Sequence, residues 1–162
     1  MQETTLDRLS TRELAAWRGF LRVHSGIVRE LNTELELTHA LPLAHYEVLF
    51  HLDGAPCGKL TMSELAQSVL LSQSGVTRLV DRLERAGLAE RFPNPADRRG
   101  VLVRATAKGR AVFEAITPEI NALHERQWSN LSVDEIQQLD RLLLKSLWGP
   151  DLGASRFADR TK

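Results

Sequence analysis

Residues 60–110 read LTMSELAQSVLLSQSGVTRLVDRLERAGLAERFPNPADRRGVLVRATAKGR, and this stretch decides the fold. Thr61-Met-Ser-Glu64 has capping-box spacing, in which hydroxyl and carboxylate satisfy each other's orphan backbone N–H groups. Leu65, Ala66 and Val69 then share the inner face of a short helix. Ser72 is placed to cap a second helix whose apolar residues Val76, Leu79, Val80 and Leu83 recur at helical spacing, and Gly87 supplies a left-handed stop. Residues 88–92 and 101–105 read as short strands, Val101, Val103 and Ala105 alternating with Leu102 and Arg104. The intervening PNPADRRG reads as too long and too polar for a tight hairpin. Helix, turn, helix and basic wing together are the plan of a DNA-reading element.

The chemistry suits that plan. In a helix-turn-helix the second helix enters the major groove with its N-terminal residues at the base edges. Here that end and the face opposite the apolar one carry Ser72, Gln73, Ser74, Thr77, Arg78 and Arg82. Glutamine pairs with adenine, arginine with guanine, and hydroxyls with bases or phosphates. The N–H groups near Ser72 also favour a phosphate. In the wing, Arg98 and Arg99 are candidates for the narrow minor groove of A·T-rich DNA, and Asp97 can orient one of them through a bidentate pair. A solvated helix followed by a charged hairpin would account for Arg78 alone, but not for the ordered set of cap, helix, turn, helix, glycine stop and wing.

Bulk charge says little, because 21 basic and 21 acidic residues cancel over the 162-residue chain. Within residues 60–110, nine basic residues against five acidic ones leave plus four. A local basic face still binds phosphate, since salt screens charge beyond roughly 10 Å. The one cysteine, Cys57, rules out an internal disulfide. The opening MQETTLDRLSTRE lacks the basic-then-apolar plan of a secretory signal, and no apolar run is long enough for a bilayer, so a cytoplasmic location is expected. No nucleophile elbow, phosphate-cradling glycine loop or paired-histidine motif is present, so no catalytic residue and no cofactor are assigned. His24, His39, His45, His51 and His124 lack zinc-site spacing, so no metal is expected.

Outside the central stretch, Ser10-Thr-Arg-Glu13 is a capping box opening a long seam of Leu14, Trp17, Leu21, His24, Val28, Leu31 and Leu35, broadened by Phe20 and Ile27. So long a seam predicts a partner subunit. Residues 38–42 break it. A shorter helix follows over about 43–52, signalled by Tyr46, Leu49 and Phe50, and residues 53–58 are turn chemistry. Thr106 opens a helix with Val112, Phe113 and Ile116 that continues through Pro118 to about Trp128. Ser132-Val-Asp-Glu135 caps a last helix with Ile136, Leu139, Leu142, Leu143 and Leu147 on one face, ended by Gly149-Pro150. Residues 151–162 read as a frayed tail.

The segments LTMSELAQSVLLSQSGVTRLVDRLERAGLAER and PADRRGVLVRATAKGR resemble the MarR family of bacterial transcription regulators, and the flanking helices fit the same pattern. The resemblance implies a mainly α fold with a small β wing. Residues 1–162 would form one domain, with 10–37 and 107–148 mainly dimerisation helices and 43–106 the winged helix-turn-helix lobe. It implies a homodimer on a palindromic double-stranded operator, acting as a repressor. Ser72, Gln73, Ser74, Thr77 and Arg78 fall where the family's major-groove contacts lie. Arg99 becomes the minor-groove residue and Asp97 its orienting partner. Family members respond to small aromatic or phenolic ligands, to thiol oxidation or to metal. For an aromatic effector the candidate pocket residues are Trp17, His24, His45 and Tyr46, although each reads first as ordinary core. Cys57 is the candidate for a thiol switch, although the family's redox sensors carry their cysteine near the start of the first helix, where this chain has none. A winged helix that binds protein instead of DNA is the remaining alternative.

Overall fold

The computed structural model describes residues 10–69 and 72–148, and leaves out the side chains of Arg98, Arg99, Leu147 and Trp148. The elements run α1 (Thr11–His39), α2 (Leu43–Asp53), β1 (Lys59–Thr61), α3 (Met62–Ser68), α4 (Gln73–Arg85), β2 (Ala89–Asn94), β3 (Asp97–Ala105), α5 (Ala107–Trp128) and α6 (Val133–Trp148). The expected stop at Gly149-Pro150 and the tail at 151–162 lie outside the described residues. The chain divides into two compact units at the Leu43/Ala44 boundary.

In the first unit, α1 opens on the expected capping box. The Ser10 hydroxyl accepts the Glu13 N–H at 3.3 Å, and the Glu13 carboxylate accepts the Ser10 N–H at 2.7 Å. Hydrogen bonds to its carboxylate from the Ser10 side chain, and then from the Ser10 backbone N–H, hold the Glu13 carboxyl below its usual range. The helix ends where Ala40 turns left-handed, two residues beyond the sequence-based boundary. Leu31 and Leu35 are buried, whereas Trp17, Phe20, Leu21 and Val28 are exposed.

The second unit builds its core from both faces of a small sheet and the helices around it. α2 contributes Tyr46, Val48, Leu49 and Leu52, while Phe50 stays exposed. α3 supplies Leu65 and Ala66, and α4 supplies Val76, Leu79, Val80 and Leu83. Gly87 stops α4 at φ 69, with the Leu88 N–H on the Leu83 carbonyl at 2.8 Å and the Gly87 N–H on the Glu84 carbonyl at 2.9 Å. Thr106 then caps α5 and donates its hydroxyl to the Gly87 carbonyl at 2.7 Å. Gly109 is needed where α5 crosses the chain, because a Cβ there would collide with the Leu88 carbonyl. α5 runs unbroken through Pro118 and buries Phe113, Ile116, Ile120 and Leu123. On α6 the Ser132 capping box forms, Ile136 and Leu142 are exposed, and Leu139 and Leu143 are half-buried. No helix among the described residues is long and apolar enough to cross a membrane.

The sheet corrects two expectations. It has three antiparallel strands in the order β1-β3-β2, not two. β1 escaped notice because three residues are too few to show alternation, and only Leu60, opposite Val103, is buried. The wing, in turn, is a tight hairpin: β2 runs to Asn94, β3 starts at Asp97, and Pro95-Ala96 alone make the turn. The excess length goes into a bulge, since Pro93 faces Val101 while its neighbour Asn94 faces Asp97, leaving Arg98, Arg99 and Gly100 unpaired across the ladder. The Asn94 side-chain oxygen accepts the Ala96 N–H at 3.0 Å and closes the turn. Gly100 admits the close approach, for a Cβ there would lie 3.0 Å from that of Asn94. Polar strand ends are tolerated because the tip faces solvent.

Candidate nucleic-acid interface

α4 separates its residues cleanly. Val76, Val80 and Leu83 are fully buried, and Ser72, Gln73, Ser74, Thr77, Arg78 and Arg82 are exposed. The structure thus gathers all six predicted reading residues on one open face. Ser72 caps the helix by accepting the Gly75 N–H at 3.2 Å, and its hydroxyl lies 3.1 Å from that of Ser74. Gln73 reaches back to donate to the Ser63 hydroxyl of α3 at 3.2 Å, which ties the two helices of the motif together. Thr77 donates its hydroxyl to the Gln73 carbonyl at 2.8 Å. Arg78 makes no hydrogen bond or ion pair among the described residues, so its guanidinium is available to a base edge or phosphate.

Pairing redistributes the charge counted from sequence. Arg91 of β2 turns inward onto α4, with Nη1 on Asp81 at 2.7 Å and on Glu84, and Nη2 on the Thr77 carbonyl at 3.1 Å. Arg104 pairs with Glu90 at 2.8 Å and lies 5.0 Å above the Phe92 ring. Lys108 donates to the Ala86 carbonyl at 2.8 Å, a cation at the C-terminus of α4. Arg85 and Arg110 bond backbone carbonyls. Arg78 and Arg82 remain on the open face of α4, and the backbone of Arg98 and Arg99 lies in the wing bulge. Asp97 is exposed at the base of the turn. Sequence reasoning missed the Arg91 cluster because its partners lie seven to fourteen residues away on another element.

The other candidates are distributed as follows. Trp17 and His24 belong to the first unit, exposed on α1 with their rings each 6.2 Å from that of Phe20. His45 and Tyr46 belong to the second. Tyr46 is buried, stacks on Phe113 at 5.5 Å and places its hydroxyl 3.4 Å from that of Thr117, as a core residue does. His45 is half-buried, and burial first, then the Arg82 charge, pushes its pKa below the ordinary value. Cys57 is exposed in the turn before β1, with a left-handed φ of 58. Among the described residues, no three His, Cys, Asp or Glu side chains converge on one point.

Known proteins share this arrangement. A model of the MarR family matches residues 39–100. The chain is 35% identical over 122 residues to the multiple antibiotic resistance protein MarR of Escherichia coli, covering 75% of this chain and 81% of that relative. Among solved structures, the MarR family transcriptional regulator AbsC of Streptomyces coelicolor superposes with a TM-score of 0.77 at 28% identity, over 83% of this chain and 91% of that one. A cysteine-to-serine variant of E. coli MarR complexed with operator DNA superposes with a TM-score of 0.72 at 34% identity, over 80% of this chain and 91% of that one.

Proposed function

This chain belongs to the MarR family of transcription regulators, and from that premise we propose that it reads a double-stranded DNA operator as a homodimeric, ligand-responsive repressor. The observation that carries the reading is the division of α4: an apolar face sealed into its own lobe, and a polar face on which Arg78 is unpaired among the described residues, with a basic wing following in sequence. α4 enters the major groove, with Gln73, Ser74, Thr77 and Arg78 at base edges and Ser72 and Arg82 toward phosphates. The wing enters the adjoining minor groove through Arg99, with Arg98 beside it and Asp97 as the orienting group. Support for DNA as the partner comes from the similarity to a relative solved on its operator.

Dimerisation is supported by two apolar faces left open among the described residues. α1 exposes Trp17, Phe20 and Leu21, and α6 exposes Ile136 and Leu142. A second copy covers them, and a two-fold dimer asks for a palindromic operator with half-sites roughly 34 Å apart. Bound over a promoter, such a dimer blocks polymerase, and a small aromatic or phenolic effector releases it.

A gel shift tests the reading. The probes are the protein's own upstream DNA and a scrambled duplex of equal length, across a salt series. Selective binding that weakens with salt is expected, and Arg78→Ala should cost roughly 1–3 kcal/mol while relaxing base preference. Equal affinity for both probes would replace sequence reading with an architectural role. No binding at low salt would favour a protein partner.

A further inference from the structure

We propose that Arg91 is a positioning residue for DNA reading: it locks the wing to the recognition helix, so that α4 and the β2–β3 hairpin meet DNA as one rigid piece. The inference rests on the DNA-reading role proposed above. It is carried by a cluster of side chains, Arg91, Asp81 and Glu84, that the predicted contacts do not use. Arg91 sits on β2 opposite Val103. Its guanidinium spans Asp81 at 2.7 Å, the Glu84 carboxylate and the Thr77 carbonyl at 3.1 Å, three points spaced along one stripe of α4. Its backbone N–H donates to the other Glu84 oxygen at 2.9 Å, so a single carboxylate grips both ends of the residue.

Three features make this a device for placement. The Arg91 side chain is 24% exposed and those of its partners 44% and 32%, against 54% and 47% for the Arg104–Glu90 bridge, so the cluster is the more sheltered of the two. The anchor reaches the reading face directly, since Thr77 is one of its residues. On the other side, β2 leads from Arg91 through Pro93 into the Asn94 turn and the bulge that holds Arg99. Without the anchor, the hairpin keeps its ladder to β3, but its tilt against α4 is no longer held by these bonds. An arginine turned onto the protein also gives up a phosphate contact, so it serves the interface through geometry.

A double-mutant cycle tests the placement. Arg99→Ala is measured in the full-length protein and in a variant carrying Arg91→Met, Asp81→Asn and Glu84→Gln. The two carboxylate changes prevent unpaired negative charge near DNA from mimicking the effect. If Arg91 positions the wing, Arg99→Ala weakens operator binding roughly tenfold in the parent and less than about threefold in the anchorless variant. Equal fold-losses in the two backgrounds overturn the proposal. If Arg99→Ala changes nothing in the parent, the wing assignment fails, and amide exchange without DNA decides the anchor by itself. Faster exchange over residues 89–97, with α5 protection kept, supports it, and unchanged exchange overturns it.

Discussion

α4 and α1 are both amphipathic, yet they dispose of their apolar residues differently. All four apolar residues on the inner face of α4 are buried. Along the seam of α1, Leu31 and Leu35 are buried while Trp17, Leu21 and Val28 remain open. A helix whose apolar face is sealed by its own chain can present its other face to a ligand without losing stability. A helix whose apolar face is open is complete only when something covers it. The contrast matches the division of labour proposed above, α4 for reading and α1 for association.

Four experiments break or sharpen that contrast. The largest effect falls on α4: Leu83→Ala leaves a cavity in a fully closed core and should cost about 2–5 kcal/mol in urea unfolding. A cost below about 1 kcal/mol would mean that the lobe core is not closed as described. On α1 the same logic predicts a change in assembly. Leu21→Asp places a charge on the open seam and should weaken self-association by roughly 2 kcal/mol or more, read by sedimentation over a dilution series. A dimer that ignores it would move the interface away from α1. Next comes the helix start: Ser72→Ala removes the cap of α4 and should lower stability by about 1 kcal/mol. If thermal unfolding does not move, the Ser72–Gly75 bond is not formed in solution.

The smallest effect is electrostatic. Burial, aided by Arg82, lowers the His45 pKa, so the folded lobe prefers neutral imidazole. The stability from that preference is complete above the ordinary value of 6.5 and is lost as pH falls through it, when the unfolded chain binds the proton more readily. Urea midpoints at pH 7.5 and 5.5 should differ less in His45→Gln than in the parent. An identical pH response in both would remove His45 from the account.

Local chemistry made most of the reading element legible. The Ser10, Thr61 and Ser132 capping boxes, the Ser72 cap, the Gly87 stop and the buried stripe of α4 all involve partners within a few residues, and each appears in the structure. The exposure of the predicted reading residues was legible for the same reason, since helical periodicity assigns each a face. The wing was harder. Its length suggested an open loop, but the register between Pro93 and Val101 folds the surplus into a bulge.

By itself, then, the chain determined where the capped helices begin, which of their faces are apolar and which stretch is basic, because those properties depend on neighbours three or four residues apart. Tertiary structure alone decided that Lys59–Thr61 is a strand, that the wing closes on two residues, and that Arg91 grips α4 while Arg78 stays exposed. Strand pairing and ion pairing join residues far apart in the chain, and a charge acquires its role only once folding has decided what stands beside it.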